Sequence, residues 1–413
     1  MAARIRHRCW QLALCTSLIC NASNAATFSV LHVFQGSDGD LPIAALTIDK
    51  SGNLWGTASG GPRRSTGVVF ELSPDGREQV LHRFAGRHDG LSPESSSLIL
   101  DGSGNLLGTT ITGGKAIGAT HGTIFSIEPD GTENLLYIFH GKRDGHYPRA
   151  GLTADKLGNL YGTTPTGGAR GGCPVSDDGC GTVFRLSADG QETILHRFVG
   201  ADGAIPVGGA LLLDDLGNLY GTAYYGGRYD NCIAGGCGTI FKISPDGDTT
   251  VLYEFKGGAD GSGPQGSLIS DGAGNLYGTT YYGGRGACDG GCGTLFKLAP
   301  DGTETVLHTF RGRNDGKFPI AGLIRDAAGN LYGTAFAAGD AQCHGGYGCG
   351  TVFELVSNGA FEVLHTFVGT DGANPVGTLV ADAAGNLYGT TENGGSAGCG
   401  GGGCGTVFKL TPD

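Results

Sequence analysis

Apolar positions in this chain come in short runs of about five residues, broken by turns rich in Gly, Asp and Asn. Residues 265–311 show the unit: QGSLISDGAGNLYGTTYYGGRGACDGGCGTLFKLAPDGTETVLHTFR. Four strands are expected in it. Strand A runs Ser267 to Ser270, strand B Asn275 to Thr280, strand C Gly293 to Leu298 and strand D Thr305 to Phe310. Asp271-Gly272-Ala273-Gly274 turns A into B, and Pro300-Asp301-Gly302 turns C into D. A Gly-rich loop joins B to C. Val306 and Phe310 sit on one side of strand D and Leu307 on the other, so the sheet has two apolar faces to cover. It cannot cover both alone, and neighbouring copies must do so.

Copies are present. The string GNL-x-GT recurs seven times, with its Asn at positions 53, 105, 159, 218, 275, 330 and 386, a spacing of 52 to 59 residues. The strand D pattern also occurs seven times, centred on His32, His82, Tyr137, His196, Tyr253, His308 and His365. Its first copy precedes every A, B and C strand, and after the last C strand, Val407 to Leu410, no D strand follows. Pairing Phe28–Phe34 with that final strand C completes the count and removes a raw edge. The expected fold is therefore all-β: a seven-bladed β-propeller of four-stranded antiparallel blades, closed by the N-terminal strand. Residues 26–35 supply the outer strand of blade 7. Blade 1 is 43–85, blade 2 is 95–140, blade 3 is 149–199, blade 4 is 208–256, blade 5 is 265–311, blade 6 is 320–368, and 376–413 forms the rest of blade 7.

Composition adds where the turns come from and where the chain goes. Glycine fills 81 of 413 positions, far above the usual ~7%, while 39% of residues are hydrophobic, which excludes disorder. Residues 1–25 read as a signal peptide: Arg4, Arg6 and Arg8, an apolar run from Trp10 to Cys20, and a small-residue cleavage site at Ser23-Asn24-Ala25. Its removal would take the net charge from −12 to −15, which disfavours nucleic acid as a partner. No later stretch reads as membrane-spanning. An exported protein, periplasmic or extracellular and monomeric, is expected.

The unit D-x-x-GNLY is similar to NHL-type propeller repeats. The longer pattern, D-x-x-GNLYGTT-x-x-GG followed by CGT-[VIL]-FKL-x-PDG-x-x-x-VLH-x-F-x-G-x-DG-x-x-P, resembles the bacterial Gloeo/Verruco (GloVer) tandem repeat over the whole expected mature chain. That resemblance implies an extracellular repeat protein of the choice-of-anchor type and no particular reaction.

Ten cysteines outside the leader fall as five close pairs between strands B and C: Cys173/Cys180, Cys232/Cys237, Cys288/Cys292, Cys343/Cys349 and Cys399/Cys404. Blades 1 and 2 carry Thr66 and His121 at the second position and have no pair. Two thiolates per blade with no neighbouring His pair do not make a zinc site, His344 beside Cys343 being an isolated exception. Local disulfides are expected on the face of the B–C loops, each stabilising by about 2 kcal/mol for loops this short.

Residues present in every copy point to scaffold. The His of VLH-x-F is read as a ring packing between blades. The Asp of DG-x-x-P (Asp38, Asp89, Asp144, Asp202, Asp260, Asp315, Asp371) is read as a turn former, with calcium as the alternative and no cofactor or metal otherwise predicted. Function is expected where copies differ, on the face carrying the B–C loops. The first residue after GT-[TA] there is Ser59, Ile111, Pro165, Tyr224, Tyr281, Phe336 or Glu392. Tyr224-Tyr225-Gly-Gly-Arg228 and Tyr281-Tyr282-Gly-Gly-Arg285 pair adjacent aromatics with Arg, and together with Glu392 they are the residues expected to bind a carbohydrate or peptide ligand. The plainer reading has these tyrosines packing on their own disulfide loops. No G-x-S-x-G, HExxH or P-loop is present. Glu392 and the loop histidines His88, His121, His140 and His146 are what an extracellular lyase, glycoside hydrolase or lactonase would have to draw on.

Overall fold

The structure is a computed structural model describing residues 26–412, apart from loop positions 61–65, 87–88, 94–96, 115–120, 142, 169–172, 230, 233–234, 340–342, 344–346 and 396–397. The expected leader, His88 and His344 lie outside the described residues. Seven separate antiparallel sheets form, one per repeat. In blade 5 the strands are Ile269–Ser270, Leu276–Tyr282, Thr294–Leu298 and Glu304–Thr309, close to the expected bounds. The inner strand differs. It is broken into Ser262–Pro264 and Ile269–Ser270, each pairing with Leu276–Tyr282. Pro264 has no N–H to give a ladder, and Gly266 lies so close to the next blade that a Cβ would stand 2.4 Å from the Ala321 carbonyl.

The N-terminal strand Thr27–Val33 pairs antiparallel with Thr406–Thr411, from Thr27 opposite Thr411 to Val33 opposite Thr406. The ring is thereby closed by its first strand. Among the described residues, no helix is long and apolar enough to cross a membrane.

The core lies between blades. The Phe that ends each outer strand meets the Phe of strand C in the next blade edge-to-face. Phe255–Phe296 and Phe310–Phe353 stand at 5.2 Å between ring centres, and the closing pairs Phe34–Phe70 and Phe367–Phe408 are at 5.2 Å too. These rings are fully buried. The repeated Gly of strand B exists for them: a Cβ on Gly278 would sit 2.7 Å from Cζ of Phe296.

The other repeated residues are polar ties. In blade 5, Asp271 accepts from the Ala273 and Asn275 backbone N–H groups and from Asn275 Nδ2 and the Tyr277 hydroxyl, which closes the A–B turn. Thr279 donates to the Ala321 carbonyl of the next blade at 3.1 Å, and Thr280 bonds Thr294 across the sheet at 2.8 Å. GTT and the Gly-Thr of strand C are thus hydrogen-bonding units of the frame.

If the Phe pairs hold the ring, Phe296→Ala should lose about 3–5 kcal/mol of unfolding free energy in urea. Gly278→Ala, which only adds a methyl group, should also destabilise, by about 1–3 kcal/mol.

Candidate functional site

A central channel of about 450 Å³ runs where the seven inner strands meet. Its wall is built from the residues following the repeated proline, including Ile43, Val207, Ile320 and Val376. Polar groups come from Ser97, Arg149, Gln265, Ser267 and Thr378. Among the described residues, no carboxylate or imidazole lines it. Tyr224 and Tyr225 stand in the same lining.

From these tyrosines a continuous row of aromatic rings crosses blades 4 to 6. Tyr225 meets Tyr224 at 4.6 Å, Tyr224 faces Tyr281 at 6.4 Å, and Tyr281 touches Tyr282 at 4.5 Å. Tyr281 stacks on Phe318 at 4.7 Å with the planes 13° apart. Lys317 then lies over both Phe318 (5.5 Å) and Tyr347 (5.1 Å). Burial, followed by the neighbouring tyrosines, pushes the Tyr224 hydroxyl above its ordinary range, so it stays a neutral donor.

The two tyrosines of each pair behave differently. Tyr225 and Tyr282 lie against Gly235 and Gly290 of their own B–C loops, as the plainer reading has it. Tyr224 and Tyr281 turn to the neighbouring blade, onto Gly263 and Phe318. Arg228 is held on the outer strand: Glu254 accepts from its Nε at 3.0 Å and from its backbone N–H. Arg285 is exposed. Glu392 is half-buried in strand Leu387–Asn393 and is not part of the channel lining.

All five expected cysteine pairs are bonded: Cys173–Cys180, Cys232–Cys237, Cys288–Cys292, Cys343–Cys349 and Cys399–Cys404. The first cysteine of each pair lies in its B–C loop, as expected, and the second reaches into the core. Cys180, Cys237, Cys292, Cys349 and Cys404 are at most 1% exposed. The reason is position: each stands directly before Gly-Thr of strand C, whose side chains pack between blades. Cys180 shares its core cluster with Phe198, Cys237 with Phe255, Cys292 with Phe310, Cys349 with Phe367 and Cys404 with Phe34. These five sulfurs are therefore interior anchors for the loops and offer no surface to a ligand.

Phe318, Lys317 and Tyr347 do not stand out in the sequence. Phe318 occupies a column that varies from blade to blade, the residue before the repeated proline. Leu41, Ser92, Tyr147, Ile205, Gly263, Phe318 and Asn374 stand there, all with φ between 48° and 65°. That conformation costs a non-glycine residue about 1 kcal/mol or more. The position is held because its N–H reaches the carbonyl of the residue before Gly-Thr of strand C. Phe318 donates to Cys292 at 2.8 Å, Ile205 to Cys180 at 2.9 Å, Gly263 to Cys237 at 2.9 Å, Asn374 to Cys349 at 2.7 Å and Leu41 to Cys404 at 3.1 Å. The buried cysteines thus fix the carbonyls that hold this column. In blades 1 and 2 the carbonyls of Thr66 and His121 serve instead.

The repeated histidines and aspartates meet at the outer seams. His196 Nε2 bonds Asp202 at 2.8 Å while the other oxygen of Asp202 accepts from the Val199 N–H. Burial alone would raise the Asp202 carboxyl, but those partners hold it below the ordinary range. Where the ring is tyrosine, its hydroxyl donates to the aspartate, as Tyr253 does to Asp260 at 2.6 Å. The next blade supplies a third residue: Glu78, Glu133, Glu192, Thr249, Glu304, Phe361 or Phe28. Phe361 and Phe28 stack flat on His308 and His365 at 3.7 and 3.6 Å. Burial, then the charge of Asp144, raises Glu192 to about 7, with Arg197 opposing. Burial, then Asp260, raises Glu304 to about 7, with Lys256 opposing.

A family model described as the Gloeobacter/Verrucomicrobia repeat matches residues 19–234 and 172–401. No curated protein matches the sequence significantly. Among solved structures, virginiamycin B lyase from Staphylococcus aureus superposes with a TM-score of 0.57 at 15% identity, over 94% of this chain and 100% of that one. The extracellular domain of a protein assigned as a hybrid two component system from B. thetaiotaomicron gives 0.53 at 13% identity, over 94% of this chain and 41% of that one. Such identities carry the fold alone.

The seam carboxyls give a pH dependence with a definite sign. Glu192 and Glu304 keep a proton up to about 7 in the folded chain, against 4.5 when unfolded. Their contribution is complete below the lower value and is lost as pH rises through the upper one. The melting temperature should therefore fall between about pH 5 and about pH 8, and the double variant Glu192→Gln/Glu304→Gln should flatten that slope. Burial pushes His146 down, which acts in the opposite sense, so the difference between the two curves is the quantity to read.

Proposed function

This chain belongs to the Gloeobacter/Verrucomicrobia repeat family, and from that premise we propose that it is an exported, non-catalytic binding propeller whose ligand is a carbohydrate chain laid on the blade 4–6 aromatic row. The row itself carries the reading. Six rings and a lysine line up from the channel lining at Tyr224 and Tyr225, on loops tied by disulfides. Sugar rings present C–H faces to such rings and hydroxyls to neighbouring polar groups. A row pre-formed by disulfides loses little conformational freedom on binding. The five disulfides support an oxidising compartment and hence export. An extended peptide could use the same rings and is the competing ligand class.

Screening the purified chain against oligosaccharide and peptide arrays tests this directly. Retention of one class of oligosaccharide is expected, weakened roughly three- to tenfold by Tyr282→Ala or Tyr347→Ala and left intact by Arg228→Ala. Tyr347 is 70% exposed, so its variant should melt like the parent. Retention of peptides alone would move the ligand to the other class. Turnover of a polysaccharide or lactone would replace the binding reading by an enzymatic one.

A further inference from the structure

The seam between blades 1 and 2 differs from the others in what its histidine faces. His82 Nδ1 must be the protonated nitrogen, because its partner 3.3 Å away is the carbonyl of Gly131. In the neutral ring Nε2 therefore presents a lone pair. It points between two carboxylates, 3.9 Å from Asp89 Oδ2 and 4.0 Å from Glu133 Oε2. Both gaps are too long for hydrogen bonds. His82 Nε2 and Glu133 Oε1 are buried with no hydrogen-bond partner among the described residues. Three ligand-type side chains thus converge on one space with no donor from another described residue between them, and the His82 and Glu133 side chains are only 16% and 11% exposed.

We propose that a first-row divalent metal ion, zinc by its chemistry, binds between His82 Nε2, Asp89 and Glu133 and ties blade 1 to blade 2. One imidazole nitrogen and two carboxylate oxygens are a zinc ligand set, with solvent able to supply a fourth position. A histidine whose other N–H is fixed by a backbone carbonyl is the usual supporting arrangement at such sites. Ligands on a tetrahedral ion with bonds of about 2.1 Å stand roughly 3.4 Å apart, so the two histidine–carboxylate pairs have to close by about half an ångström, and the two carboxylates approach from within 4.8 Å. Asp89 is already aimed by the Ala85 and Gly86 N–H groups.

The placement matches the disulfide pattern. Blades 1 and 2 are the two without a cysteine pair, and their outer strands supply the glutamates of the two His–Asp–Glu groups, Glu78 and Glu133. At the first group, His32 Nε2 is already bonded to Asp38 at 2.9 Å, so that site must give up a hydrogen bond and binds more weakly. Arg87 and His88, next to Asp89, lie outside the described residues.

The experiment uses the oxidised full chain after chelator treatment and dialysis, with zinc chloride as the probe. About one equivalent of zinc per chain should be retained, with the melting temperature raised by a few degrees. Glu133→Gln keeps the shape, so it should fold and melt like the metal-free parent while weakening zinc at least about tenfold. Glu78→Gln should leave the tight site in place. Cobalt should give a visible spectrum of nitrogen and oxygen ligation that zinc abolishes. Three results would overturn the proposal: no zinc retained, zinc retained equally by Glu133→Gln, or stabilisation by calcium with zinc inert. The last two would place the ion elsewhere or make it a different cation.

Discussion

The whole molecule depends on one contact made seven times: the phenylalanine at the end of an outer strand set edge-on against the phenylalanine of strand C in the next blade. A four-stranded blade has two apolar faces and cannot satisfy either by folding alone. Each blade must borrow a ring from one neighbour and lend one to the other. A chain that stopped this exchange anywhere would leave a buried face open to water. The N-terminal strand prevents that: Phe34, at its end, covers Phe70 of blade 1, while Phe28 covers Phe367 and Phe408 from the other side. Closure is thus a packing requirement, and the hydrogen-bonded ladder from Thr27 to Val33 is how it is met.

That requirement is legible in the sequence because it repeats. Gly-Asn-Leu, the terminal Phe and the spare strand D can be counted, and the count alone specifies a closed ring. What repetition hides is register. Each strand D carries a bulge, as where Leu295 pairs His308 but Phe296 pairs Val306, leaving Leu307 over. The bulge turns the histidine into the seam, toward the aspartate six or seven residues on. Simple alternation along Val306-Leu307-His308 cannot show it. The break in the inner strand is hidden for the same reason: it comes from the neighbouring blade's backbone at Gly266, which no local pattern reports.

The candidate site is half legible. The paired tyrosines stand out as exceptions to the repeat, and the fold does gather them. Their partners do not stand out. Phe318 sits before a proline, where an extended backbone is the ordinary expectation. It is instead held at φ 58° by the carbonyl of a disulfide-bonded cysteine. The cysteine pairing is legible from spacing, yet the depth of Cys180, Cys237, Cys349 and Cys404 is not, because the rings that cover them stand 18 residues further on or, for Cys404, at Phe34 after the N-terminal strand. Arg228 groups with the tyrosines by adjacency, but Glu254 of the outer strand, 26 residues on, captures it. In each case a long-range partner decides the direction of a side chain. The same holds for His82, which sequence places with four other strand histidines and the structure sets apart by the Gly131 carbonyl.

The division of labour that results is physical. Seven-fold residues commit their side chains to seams and turns, and the buried cysteines fix the loop carbonyls. The rings at the mouth of blades 4 to 6 are left pre-formed and partly exposed. Hydrogen–deuterium exchange of the full chain, with and without the oligosaccharide it retains best, tests that assignment most directly. Added protection confined to Tyr224–Arg228, Tyr281–Arg285, Lys317–Phe318 and the loop ending at Tyr347 is the predicted result. Protection centred on the loops of blades 1 and 2, or on the outer strands, would contradict it.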